Sequence, residues 1–144
     1  MSASADHSLF VPLAVLALWT LNVLLLVPLA RFKAGRAGQV NFEDFRLGES
    51  ARVPEAVRLP NRNFMNLLEV PVLLYAAGFT AHLMGVHSPW MLGLFWLYVG
   101  LRVAHSVVHL RAGHSVPVRL VLFAVSNVVI VVIWWWLLVQ LLTS

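Results

Sequence analysis

The chain contains no cysteine, which rules out disulfides and any thiol chemistry by the protein itself. Charge is almost as scarce. Only 11% of the 144 residues are Asp, Glu, Lys or Arg, against roughly 25% in a typical soluble protein. Of the six acidic residues only Glu69 falls inside an apolar stretch. With 60% hydrophobic residues, a soluble fold could not hide the apolar surface this chain carries. No internal repeat, low-complexity tract or second domain is evident, and residues 1–144 read as one all-α integral membrane domain, a four-transmembrane-helix bundle.

What is present falls into four apolar segments. Leu9 to Ala30 offers 22 uncharged residues, enough to cross a hydrocarbon core of about 30 Å. The preceding "MSASADHS" has no basic residue, so this segment reads as a retained span and not a cleaved signal. A polar loop from Arg31 to Arg62 follows and holds seven of the ten Lys and Arg residues, with room for a short surface helix. The other spans are expected at about 63–85, 90–111 and 118–142, separated by the turn signals "VHSP" and "AGHSVP". Pro117 suits the first turn of the last helix.

Four spans put both termini on one side. Basic residues flank the first and third loops and are absent from the second, so the positive-inside rule turns those two loops to the cytoplasm and both termini outward. Orientation therefore accounts for the basic balance, and no nucleic-acid partner is expected. Short loops fit a bacterial inner membrane protein.

This topology brings the scarce polar residues together. Arg62, Asn66 and Glu69 stand at i, i+4 and i+7 at the cytoplasmic start of span two. Arg102, His105 and His109 share a face near the cytoplasmic end of span three, and Arg119 lies in the first turn of span four. Glu69 and Arg102 are the only acid and the only deep base within the spans, at similar depths, so pairing is the economical expectation. Two readings are open from spacing alone. The pair fixes helix register and the histidines line a core, or the residues form a cytoplasm-facing cavity that binds an anionic ligand through Arg62, Arg119 and Arg31. The i, i+4 pair His105 and His109 could also hold a metal, but Ser106 stands where a zinc hydrolase carries its acid. Ser106 has no suitably placed acid for nucleophilic catalysis either.

The motif "RNFMNLLEVP" resembles the second-helix signature of the MAPEG family, the membrane-associated proteins in eicosanoid and glutathione metabolism. "GLRVAHSVVHL" is similar to the third-helix segment of its microsomal prostaglandin E synthase branch, and "VPVRLVLF" to the start of its fourth helix. The resemblance implies a homotrimer with glutathione between subunits near the cytoplasmic side. Arg62, Asn66 and Glu69 would hold the tripeptide, with Arg102 paired to Glu69 and His105 beside the ligand. Arg119 matches the arginine that stabilises the glutathione thiolate in several members. His109 stands where the family commonly has tyrosine, and Leu120 where the prostaglandin branch has serine. Pro71 follows the glutamate sooner than usual and is expected to alter the bend of span two. The implied activity is a glutathione transferase or peroxidase-like enzyme for hydrophobic electrophiles entering from the lipid. A non-catalytic lipid-binding or structural protein on the same scaffold is the alternative.

Overall fold

The computed structural model describes residues 7–86, 88–111 and 116–143. Five α-helices run in the order α1 (Phe10–Arg36), α2 (Glu55–Leu68), α3 (Val72–Leu83), α4 (Pro89–Leu110) and α5 (Val116–Thr143). Among the described residues there is no β-strand. Taken together as Glu55–Leu83, α2 and α3 form one of four helical stretches long and apolar enough to cross a membrane. The outward faces agree: Leu18, Leu21, Leu25 and Leu29 on α1 and Val121, Val128 and Val132 on α5 are exposed, a pattern suited to lipid and not to water. The chain is therefore a multi-pass integral membrane protein.

Helix α1 continues six residues past the expected end of its apolar run. Nothing in Arg31–Arg36 breaks a helix, and Lys33 and Arg36 in the last turn complement its dipole. The stop comes from Gly38 at φ +67°, where the amide of Gln39 donates to the carbonyl of Ala34. Gly85, at φ +66°, ends α3 by the same geometry, with the amide of Val86 donating to Ala81. Of the two expected interhelical turns, His87 and residues 112–115 lie outside the described residues.

The second span differs most from its reading as one apolar helix. It starts at Glu55, eight residues early, because Pro54 accepts the first amides and Glu55 suits the helix N-terminus. It then breaks at Glu69, whose backbone turns to ψ −98°, and Pro71 cannot donate the next helical bond. Helix α3 resumes at Val72.

Packing places one end of the bundle around the first loop and the other around the chain's start. Helix α1 packs on α2, α3 and α4, and α5 on α3 and α4. Gly78 of α3 allows a close approach: a Cβ there would meet Leu13 of α1 at 2.5 Å and Phe95 of α4 at 3.3 Å. Leu16, Leu74, Ala77, Phe95, Tyr98 and Ile133 fill the middle. Packing of this kind matters in lipid, where helices gain little from leaving the solvent. Away from the loop, the Phe10 ring meets Phe79 at a tilt and His82 edge to face, at 5.7 and 5.0 Å.

The loop is itself ordered by hydrogen bonds. The Asp44 carboxylate accepts from the Asn41 amide at 2.9 Å, the Ser50 hydroxyl at 2.7 Å and Arg52 at 3.0 Å. The Asn41 amide, then the Ser50 hydroxyl and Arg52, hold its carboxyl below the ordinary aspartate range. Arg31 reaches Glu49 at 3.2 Å and lies over the Phe45 ring. Ala34, Val53 and Val57 pack together beneath.

Candidate functional site

Helix α2 is two-faced. Val57, Pro60 and Leu67 are buried against the bundle, while Arg58, Arg62 and Asn66 project from the other side at four-residue intervals. Across from them stand His105 and His109 of α4 and Arg119, Leu120 and Phe123 of α5. These walls enclose a cavity of about 710 Å³ at the loop end, within the 300–1,000 Å³ typical of small-molecule sites. Six of the eight residues singled out from the sequence line it: Arg62, Asn66, Glu69, His105, His109 and Arg119.

The other two lie elsewhere. Arg31 is engaged with Glu49 and Phe45 in the loop and does not line this cavity. Arg102 is fully buried behind it. The expected ion pair between Arg102 and Glu69 is not formed: among the described residues the ion pairs are Arg31–Glu49, Arg46–Glu43 and Arg52–Asp44. The break after α2 explains this, since Glu69 is its capping residue and turns into the open cavity instead of continuing along a helical face. Arg102 instead donates Nε–H to the Tyr98 hydroxyl at 3.1 Å. Its guanidinium lies over the rings of Phe123 and Tyr98, at 5.2 and 5.5 Å. Both Nη atoms are buried without a hydrogen-bond partner.

The cavity's own contacts define what it offers. Arg119 Nη1 lies 3.3 Å from His109 Nδ1. A guanidinium can only donate, so Nδ1 accepts and the neutral ring carries its proton on Nε2. That Nε2 is buried and unpartnered. His105 packs between the rings of His109 and Phe123, at 5.9 and 5.8 Å. The walls thus present three arginines, Arg58, Arg62 and Arg119, against two carboxylates, Glu55 and Glu69.

Beneath the site, Ser106 is fully buried and its Oγ accepts from Trp19 Nε1 at 2.9 Å and Asn63 Nδ2 at 2.7 Å. This link ties α1, α2 and α4 and leaves Ser106 no role as a nucleophile. Sequence reasoning missed it, along with Arg58 and Phe123. Arg58 precedes Arg62 by one turn and was hidden by starting the helix too late, at about residue 63, which left Arg58 in the loop; Phe123 follows Arg119 by one turn on α5.

No curated protein and no solved structure matches the chain. The profile of the MAPEG family matches residues 9–139. That match reaches all four spans and takes in every residue lining the cavity, and the chain belongs to the MAPEG family.

Proposed function

We propose that this protein is a membrane glutathione transferase acting on hydrophobic electrophiles, with the cavity between α2, α4 and α5 as its thiol site. The observation that carries the reading is a surplus of cationic donors. Among the described residues, the exposed Arg62 and the half-buried Arg119 line the cavity with no carboxylate in ion-pair contact, and the fully buried Arg102 behind it keeps two unpartnered nitrogens. Buried charge without a partner is costly, and an anionic ligand offsets that cost. Glutathione brings two carboxylates and a thiol that can become a third negative group.

General chemistry supports the reading. A thiol of pKa about 8.5 is mostly protonated at neutral pH, and an adjacent cation favours the thiolate. Arg119 is suited to this because arginine keeps its charge in a poorly hydrated site. Its contact with His109 leaves the imidazole Nε2–H free to donate to the ligand, in the place where the family commonly has a tyrosine. The thiol proton passes to water at the cavity mouth. The sulfur lone pair then attacks the electrophilic carbon, a C–S bond forms, and the leaving group departs with its electron pair.

Several further features belong to this reading. Arg62, Asn66 and Glu69 hold the tripeptide, and a neighbouring copy in a homotrimer closes the open side. The positive-inside rule turns this end to the cytoplasm of a bacterial inner membrane. The electrophile enters from the lipid between subunits. In the test, Arg119→Ala lowers turnover of a model aryl halide by about ten-fold or more while glutathione still binds. The ultraviolet absorbance of the bound thiolate falls in the same variant. Unchanged turnover would remove Arg119 from the chemistry.

A further inference from the structure

Arg119 is poorly anchored by its own helix. It stands at the start of α5, three residues after Val116, where the helix dipole disfavours a cation. Its half-buried side chain lines the cavity, and among the described residues it has no ion pair. An arginine side chain has many rotamers, so a fixed aim into the cavity has to be imposed from another element.

Helix α4 supplies the constraint. Arg119 Nη1 donates to His109 Nδ1 at 3.3 Å, and His109 is only 7% exposed. The His109 ring packs on His105 at 5.9 Å, and His105 packs on Phe123 at 5.8 Å. Phe123 lies one turn beyond Arg119, so the contacts leave α5 at Phe123, cross two imidazoles of α4 and return to α5 at Arg119. A buried ring held in this way presents a fixed acceptor, and the acceptor fixes the guanidinium.

The type of acceptor matters as much as its place. A carboxylate at this point would hold Arg119 and cancel its charge, whereas a neutral imidazole holds it and leaves the charge uncompensated. The surroundings preserve that condition. The charged groups that share the cavity with the two imidazoles are Arg119 of α5, Arg58, Arg62 and Glu55 of α2, and Glu69 at its end. Neither glutamate makes an ion pair with His109 or Arg119, and α1, which also packs on α4, has no charged residue from Phe10 to Ala30.

We infer that His109 is the positioning residue for Arg119: its neutral ring aims the guanidinium into the cavity with the positive charge left for the anionic sulfur. The identity of that anion rests on the transferase reading; the hold on Arg119 rests on the contacts alone.

Two measurements separate these parts. Nitrogen-15 NMR of histidine-labelled protein in detergent, without glutathione, reads the hold, with the signal assigned by its loss in His109→Asn. At neutral pH His109 is expected to carry its proton on Nε2. A proton on Nδ1 overturns the inference, because that nitrogen could then not accept from arginine. This reading does not depend on whether any leucine variant folds. Ultraviolet titration of protein saturated with glutathione reads the consequence. His109→Leu, which removes the acceptor, should lower the thiolate fraction at neutral pH by about three-fold or more. His109→Asn places a neutral oxygen close to the position of Nδ1 and should restore most of it. An unchanged thiolate fraction in His109→Leu overturns the inference, even if the melting temperature falls, and so does an equal loss in the two variants. Absence of thiolate in the native protein, with the proton on Nε2 as expected, sinks the transferase reading and leaves the hold of His109 on Arg119 standing.

Discussion

The first loop and the cavity beside it lie at the same end of the bundle and treat charge in opposite ways. In the loop each buried acidic group has its cation and its hydrogen bonds: Asp44 holds three donors, and Glu49 holds Arg31. Among the described residues, Arg62 and Arg119 stand in the cavity without an ion pair, and Arg102, wholly buried behind it, has one acceptor for its three nitrogens. A self-satisfied region holds its shape unaided. A region with unmet donors is built to be completed from outside, and the difference separates scaffold from site where residue type alone does not.

The contrast is sharpened first by a group that is fully partnered and buried. Replacing Ser106 with alanine leaves the part-buried Trp19 Nε1 without its acceptor and the buried Asn63 Nδ2 with only the long bond to the carbonyl of residue 106 at 3.4 Å, and is expected to cost about 2–4 kcal/mol at roughly 1–3 kcal/mol for each. Thermal or denaturant unfolding in detergent reads this, and a loss below about 0.5 kcal/mol would mean that water or lipid replaces the serine.

Arg102→Met probes the unpartnered side. A buried cation with no acid beside it stabilises little, so the ligand-free variant is expected to be as stable as the parent or more so, by about 1–4 kcal/mol. Its thermal stabilisation by glutathione should nearly vanish. A large drop in ligand-free stability would reveal an anionic partner for Arg102 that the single chain lacks.

The loop responds to acid. Because the folded state holds the Asp44 carboxyl below its ordinary value near 3.9, its contribution is complete above that value and is lost as pH falls through the lowered one. Relative to the intrinsic exchange rate, the protection of the loop amides should therefore fall only below about pH 4, and Asp44→Asn should show the lower protection already at neutral pH. A fall near pH 6 would point to histidine instead. The smallest effect is expected at Arg46, whose contact with Glu43 joins two largely exposed side chains: Arg46→Ala should change stability by about 0.5 kcal/mol or less.

Much of this was legible in the sequence, for identifiable reasons. The four spans follow from apolar runs between turn signals, because uninterrupted runs of about 20 apolar residues cross lipid as helices that satisfy their own backbone. Arg62, Asn66, His105, His109 and Arg119 were found because helical periodicity and shared sidedness brought them to one end. Pairing Glu69 with Arg102 failed on backbone geometry. The depth argument assumed an unbroken helix, and the turn at Glu69 before Pro71 redirects the carboxylate by more than any rotamer could. Arg31 was misplaced for a related reason, since the fold of a loop rests on contacts such as Phe45 and Glu49 that no period announces. The Trp19–Ser106–Asn63 link spans residues 87 and 43 apart in the chain and carries no local signal.

The central claim, that the cavity's cations, which have no carboxylate partner among the described residues, exist to hold a thiolate-bearing anion, is tested most directly by calorimetry of glutathione binding at neutral pH in buffers of different ionisation enthalpy. The account predicts saturable binding with release of a proton from the thiol, and binding without that release in Arg119→Ala. Absence of binding, or binding by the native protein with no proton released, would contradict it.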